Sequence, residues 1–296
     1  MLIIIVKEEL PIMDYIEQLK ILFLGIVEGI TEWLPISSTG HMLLVDALFT
    51  LQLREEFKKM FFVVIQLGAI IAVLVYFWKE LFPFHLEKKE KIKLNADMGT
   101  LSLWGKVLVA CLPAAVLGLL FDDILEEYLH TPLIIALMLI LYGVAFILIE
   151  KRNATRIFPT QSLEEISYTQ ALLIGAFQVL SLIPGTSRSG ATILGALLLG
   201  ITRPVGAKFS FFLAIPGMFG ASGLKLLKFL LDGGGFIGWE FFYLLFGAVV
   251  AFVISMLTIK LLMRFVEKHD FKVFGWYRIV LGAIVICALV IPTLLG

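Results

Sequence analysis

The sequence predicts an all-α integral membrane protein: an inverted-topology repeat with six spanning helices and two re-entrant helix–loop–helix hairpins. Three observations carry this. The 296-residue chain is 60% hydrophobic and 16% charged, against about 45–50% and about 25% in a soluble domain, and its mean hydropathy is +0.99. Six stretches approach the roughly 20 apolar residues that cross a bilayer. Two more apolar stretches are broken by proline and by Ser/Thr/Gly runs, and the two breaks stand 150 positions apart.

The elements follow in order. Met1–Glu9 starts with six apolar residues and then turns charged, too short and acidic for a cleavable signal peptide, whose apolar region takes about 7–15 residues. The first hairpin, 18–51, has apolar pieces 18–34 and 41–51 on either side of Pro35. At about 1.5 Å per residue each piece reaches only part way across. Irregular backbone at that depth must be buried in protein or line a polar cavity. Spanning helices 61–81, 102–121 and 132–150 follow. The second hairpin, 170–201, breaks at Pro184 and leads to spanning helices 208–231, 240–263 and 276–295. The whole, 1–296, reads as one membrane domain with repeats at 10–150 and 169–296.

The repeat rests on matched residues at one offset. Gly25 matches Gly175, Ser37 matches Ser187, and Gly40 matches Gly190; further on, Lys58, Phe61, Phe62 and Ile65 match Lys208, Phe211, Phe212 and Ile215. Three crossings per unit is odd, so the units are predicted to be inverted. Inverted repeats bring broken helices together near the midplane. Connections 82–101, 151–169, 202–208 and 264–275 carry Lys88, Lys89, Lys91, Lys93, Lys151, Arg152, Arg156, Arg203, Lys208, Arg264, Lys268 and Lys272. The other side carries Asp122, Asp123, Glu126, Glu127 and Asp232 together with Arg54, Lys58 and Lys59, and has Lys225 and Lys228 near it. The positive-inside rule makes the first side cytoplasmic. Both termini and the mouth of the first hairpin are then expected outside.

The hairpins hold the polar groups. Glu28 and Glu32, four apart, share one helix face near the negative end of their half-helix. A divalent cation would relieve their repulsion; hydrogen bonds in a wet cavity are the plainer alternative. Ser37, Ser38 and Thr39 in the first loop, and Ser187, Arg188 and Ser189 in the second, precede Gly40 and Gly190 and a half-helix. Hydroxyls and free N–H groups at a helix start bind anions, although ordinary capping uses the same residues. Arg188, in an otherwise uncharged run, favours a phosphate or pyrophosphate. His41 could relay a proton or simply bond the loop. Gln66 either lines the cavity or bridges helices. His85, His130 and His269 read as surface residues. Cys111 and Cys287, in apolar stretches, read as packing residues. A net charge of zero gives no sign of a nucleic-acid partner.

The runs Glu28–His41 and Pro184–Thr192, with Phe61-x-Val-Val-Ile-Gln66-Leu-Gly, resemble the signature motifs of the bacterial undecaprenyl-pyrophosphate phosphatase family of the bacitracin-resistance type. Trp33 stands where phenylalanine is usual. The resemblance covers nearly the whole chain. It implies a multi-pass protein of the bacterial plasma membrane that removes the terminal phosphate of C55 undecaprenyl diphosphate. The monophosphate product then serves as a peptidoglycan carrier. It also implies a divalent cation, Mg²⁺ or Ca²⁺, at Glu28 and Glu32, and a site open to the periplasmic or outer side. The implied catalytic set is Glu28, Glu32, Ser38, His41 and Arg188, with Ser37, Thr39, Ser187, Ser189, Thr192 and Gln66 in support. The implied partners are a polyprenyl diphosphate and membrane lipids; a homodimer is compatible. A polyprenyl-phosphate flippase would use the same anion site and is the main rival. A resistance protein without turnover is disfavoured, because polar groups at membrane depth are costly unless they function.

Overall fold

The computed structural model describes residues 15–89, 91–231 and 235–292, with the side chains of 85–96, 122–124 and 126–127 left outside that description. The expectations for Met1–Glu9, the repeat start at 10–14, Asp232 and the helix end at 293–295 lie outside the described residues. So do those for the side chains of His85, Lys88, Lys89, Lys91, Lys93, Asp122, Asp123, Glu126 and Glu127. The protein is helical, with six helices long and apolar enough to cross a membrane.

The first hairpin comprises α1 (Tyr15–Thr31) and α2 (Ser38–Leu48). The first spanning unit runs Glu55–Tyr76, six residues earlier than the expected start at 61. Lys58, which reads as connection, is instead paired with Glu55 at 2.6 Å in the opening turns, so its charge stays at the helix end. The unit is interrupted at Ile65 into α3 (Glu55–Val64) and α4 (Gln66–Tyr76). Ser222 Oγ donates to the Val63 carbonyl there at 3.0 Å, satisfying a group freed by the break. A short α5 (Trp78–Leu81) leads to β1 (Phe84–Lys89) and β2 (Lys91–Ala96), an antiparallel ribbon that the expected 82–101 connection did not foresee.

Helix α6 (Met98–Leu129) is capped by Asp97, runs eight residues past the expected 121 and accommodates Pro113. Helix α7 (Pro132–Arg152) starts where Thr131 caps the Ile134 N–H and proline takes the first position, where a missing N–H costs nothing. The second hairpin comprises α8 (Tyr168–Val179), a 3₁₀ turn at Leu180–Leu182, and α9 (Arg188–Leu198). Ser167 and Gln170 form a capping box at its entry. Helices α10 (Arg203–Leu231), α11 (Glu240–Val266) and α12 (Lys272–Val285) follow, the last ending in a π turn at Ile286–Val290.

The first half-helix of each hairpin packs on a spanning helix from the other half of the chain. Gly25 and Gly29 of α1 face the Gly247 and Ala251 carbonyls of α11, and Gly175 of α8 faces the Ala110 carbonyl of α6. A Cβ on Gly175 would enter that carbonyl, so only glycine allows the approach. Helices α7 and α12 meet through Gly143 and Gly275, each against the other's carbonyl. This exchange is compatible with an inverted repeat. The core around the hairpins is aromatic: Trp33 is fully buried, edge-on to Phe211 at 5.2 Å, among Phe146, Phe209, Phe212 and Phe271.

Candidate active site

Both hairpin breaks use the same local device. Ser37 has φ 72° and Ser187 φ 71°, and they are the non-glycine residues with positive φ among the described residues. That region is strained for a side chain and persists only when its surroundings impose it. Each serine caps the helix that follows: Ser37 Oγ accepts from Gly40 N at 3.3 Å, and Ser187 Oγ accepts from Gly190 N at 3.1 Å. The second break also needs Gly185, at φ 90°, where a Cβ would press on the Ile135 carbonyl at 2.5 Å.

Because the breaks match, the first helical residues after them are equivalent: Ser38 begins α2 and Arg188 begins α9. Both reach the same carboxylate. Ser38 Oγ donates to Glu32 Oε2 at 2.8 Å, and Arg188 Nη2 donates to Glu32 Oε1 at 2.8 Å. Glu32 therefore lies where two helix N-termini converge. Its carboxylate stands in for the anion that such a junction attracts. Arg188 Nη1 also reaches the Ser210 carbonyl at 3.4 Å.

Glu28, one turn back on α1, is 1% exposed, and its Oε1 has no hydrogen-bond partner among the described residues. A buried carboxylate oxygen without a partner is costly and marks a place for a proton or a cation. No group of three or more His, Cys, Asp or Glu among the described residues forms a metal cage.

The supporting residues separate into two kinds. Thr39 is exposed and Ser38 half-buried on the lip of the first loop. Ser189 and Thr192 turn inward. Ser189 Oγ is 3.4 Å from the Glu32 carbonyl and 3.3 Å from that of Leu34, tying the second loop to the first. Thr192 Oγ1 bonds the Arg188 carbonyl and Ser210 Oγ and is 1% exposed. Gln66 is half-buried at the start of α4 and makes no side-chain hydrogen bond to this cluster among the described residues. His41 is also turned from Ser38: its Nδ1 lies 2.7 Å from the Ser37 carbonyl and its Nε2 2.7 Å from Tyr277 Oη.

One residue absent from the sequence reading is central. Arg278 of α12 is fully buried and faces the carbonyls of both breaks: Pro35 at 3.1 Å, Gly185 at 2.8 Å and Thr186 at 2.9 Å. It satisfies backbone groups that the strained turns leave free, and its guanidinium lies 5.4 Å from the Tyr142 ring centre. The signal was present, since an arginine inside an expected spanning segment is costly by default.

The chain matches known proteins over nearly its whole length. Residues 21–284 match the family described as bacitracin resistance protein BacA. An undecaprenyl-diphosphatase of Enterococcus faecalis is 62% identical over 274 residues, 93% of this chain and 98% of the relative. One from Acetivibrio thermocellus is 55% identical over 92% of this chain and 97% of the relative. One from Desulfitobacterium hafniense is 52% identical over 96% of this chain and the whole of the relative. The chain belongs to the BacA bacitracin-resistance family.

Proposed function

We propose that this protein is an undecaprenyl-diphosphate phosphatase of the bacterial plasma membrane. It hydrolyses the terminal phosphate of undecaprenyl diphosphate, returns the monophosphate to cell-wall synthesis, and so confers bacitracin resistance. The observation that carries the reading is the sharing of the Glu32 carboxylate by Ser38 and Arg188, the equivalent first residues of α2 and α9. A binding protein needs the arginine, but it has no use for a hydroxyl whose proton already points at a buried carboxylate.

The chain's own groups then divide the work. Arg188 leaves Glu32 for the diphosphate, which displaces the carboxylate as the anion between the two helix starts, and it stabilises charge developing on the phosphoryl oxygens. Ser37, Ser187 and the N–H groups they order shape the anion seat, while Thr39 on the exposed lip meets the incoming headgroup. Ser189 keeps the loops in register and Thr192 holds the base of Arg188. Ser38 Oγ attacks the terminal phosphorus as Glu32 takes its proton, the bond to the bridging oxygen breaks, and undecaprenyl phosphate leaves. Water then hydrolyses the phosphoserine to release phosphate. Where Ser38 instead orients the water, that water's proton passes through Ser38 to Glu32 and phosphate leaves directly. His41 Nε2 takes a proton from the hydrolysing water and releases it to solvent, and Gln66, at the start of α4, contributes to substrate binding.

The donor set fits a divalent cation. Glu28 offers a buried oxygen with no partner among the described residues, Glu32 lies one turn away, and phosphate oxygens can fill the remaining positions. Glu28 and Glu32 would hold Mg²⁺ or Ca²⁺, whose contribution is to neutralise charge on the phosphoryl oxygens.

The matched breaks and the exchange of α1 and α8 between halves support an inverted repeat with re-entrant hairpins. The basic residues Lys151, Arg152, Arg156, Arg203, Lys208, Arg264, Lys268 and Lys272 support a cytoplasmic face opposite the first hairpin's mouth. Both termini and the site then face outward. A homodimer is compatible with this reading and would add membrane contact.

The test is phosphate release from undecaprenyl diphosphate by purified protein, with and without EDTA, for wild type and Glu32→Gln. EDTA is expected to stop turnover, and Glu32→Gln to lower kcat by about 10²–10⁴-fold. Turnover that survives EDTA removes the cation, and an unimpaired Glu32→Gln removes the carboxylate.

A further inference from the structure

Tyr277 lies 236 residues from His41 in sequence, yet the two rings stack nearly parallel, 7° apart, with centres 5.6 Å apart. The contact chemistry is directional. A carbonyl only accepts, so Nδ1 of His41, 2.7 Å from the Ser37 oxygen, carries the hydrogen. Nε2 is then the basic nitrogen, and the Tyr277 hydroxyl, 2.7 Å away, donates to it. Ser37 is the strained residue of the first break, so the imidazole is fixed to the turn that sets Ser38 in place.

The tyrosine is itself held in position. The next residue, Arg278, is fully buried and bonds carbonyls of both breaks, pinning this stretch of α12 to the hairpin junction. Tyr277 is nonetheless 45% exposed, so one side of the pair is anchored and the other is open.

We propose that Tyr277 is the positioning residue for His41 in this reaction. The Ser37 carbonyl selects the tautomer; Tyr277 holds the ring by its basic Nε2 and remains a partner after that nitrogen gains a proton. A phenol hydroxyl donates to a neutral imidazole and accepts from an imidazolium, turning its own hydrogen outward. His41 can then gain and lose a proton without moving its ring or leaving a nitrogen unpartnered. A phenylalanine would keep the stack and lose both hydrogen-bond roles.

The inference rests on the reading that His41 handles a proton, and the test separates the two. Phosphate release from undecaprenyl diphosphate is measured for wild type, Tyr277→Phe, His41→Ala and the double variant, with melting temperature read alongside. Tyr277→Phe is expected to lower kcat about tenfold, within the range of coupled neighbours, with KM and melting temperature unchanged. In the His41→Ala background the same substitution is expected to change kcat less than about twofold, because the residue through which it acts is gone. An equal fold-loss in both backgrounds overturns the proposal, as does full activity of Tyr277→Phe beside an impaired His41→Ala. A fully active His41→Ala overturns the proton role of His41 itself and this inference with it.

Discussion

The two hairpins share a backbone and differ in what covers them. Both turn on a serine at φ near 70°, both cap the next helix with that serine, and both begin that helix with a residue aimed at Glu32. In the second hairpin, α9 is buried from Ser189 through Leu197, whereas in the first only Gly40 and Val45 of α2 are buried. Ser189 and Thr192 spend their hydroxyls on backbone and on Ser210, while Ser38 and Thr39 remain on an accessible lip. The difference teaches a division of labour. On the proposed reading, the buried second hairpin delivers one arginine, and the accessible first hairpin is where substrate would enter and bonds would change.

The largest expected effect comes from breaking the second hairpin's one contribution. Arg188→Lys keeps a positive charge but loses the planar fork. It should lower kcat/KM by about 10²–10³-fold, the usual cost of one transition-state donor, in the phosphate-release assay. A loss under threefold would mean that charge alone serves, and that the second hairpin does not shape the anion seat.

A smaller effect should separate scaffold from chemistry. Gly175→Ala puts a methyl into the Ala110 carbonyl where α8 crosses α6. Overpacking of this kind costs about 1–3 kcal/mol, to be read as a lowered melting temperature. If α8 and α6 approach less closely, the variant will melt like wild type.

The smallest effects test the equivalence of the breaks. Ser37→Ala and Ser187→Ala each remove an N-cap, at about 1 kcal/mol apiece, so their thermal shifts should agree. Activity should part them, because loosening the Ser37 turn also shifts the backbone carbonyl that holds His41 and the exposed lip that follows it. Equal activity losses would erase the distinction drawn between the hairpins.

Much of this was legible in the sequence, and the reasons are physical. A glutamate pair, an arginine and hydroxyl-rich breaks within apolar sequence are costly enough to announce themselves, and Glu32, Ser38 and Arg188 do meet. What was missed depends on partners far apart in the chain. Nothing local to Thr192 says that its hydroxyl turns inward to Ser210, and nothing local to His41 points to Tyr277. Arg278 was readable as a costly charge, but its task emerges only where two strained turns leave carbonyls to satisfy. The β1–β2 ribbon was overlooked because a short charged segment between spanning helices reads as plain connection.

The division of labour is tested most directly by equilibrium binding of a non-hydrolysable polyprenyl methylene-diphosphonate to Ser38→Ala and Arg188→Ala. The account predicts that Ser38→Ala binds like wild type while its turnover is lost. Arg188→Ala should bind about 10–100-fold more weakly, as expected for one charge-assisted hydrogen-bonding group. Equal weakening in both variants, or tight binding by Arg188→Ala, would contradict it.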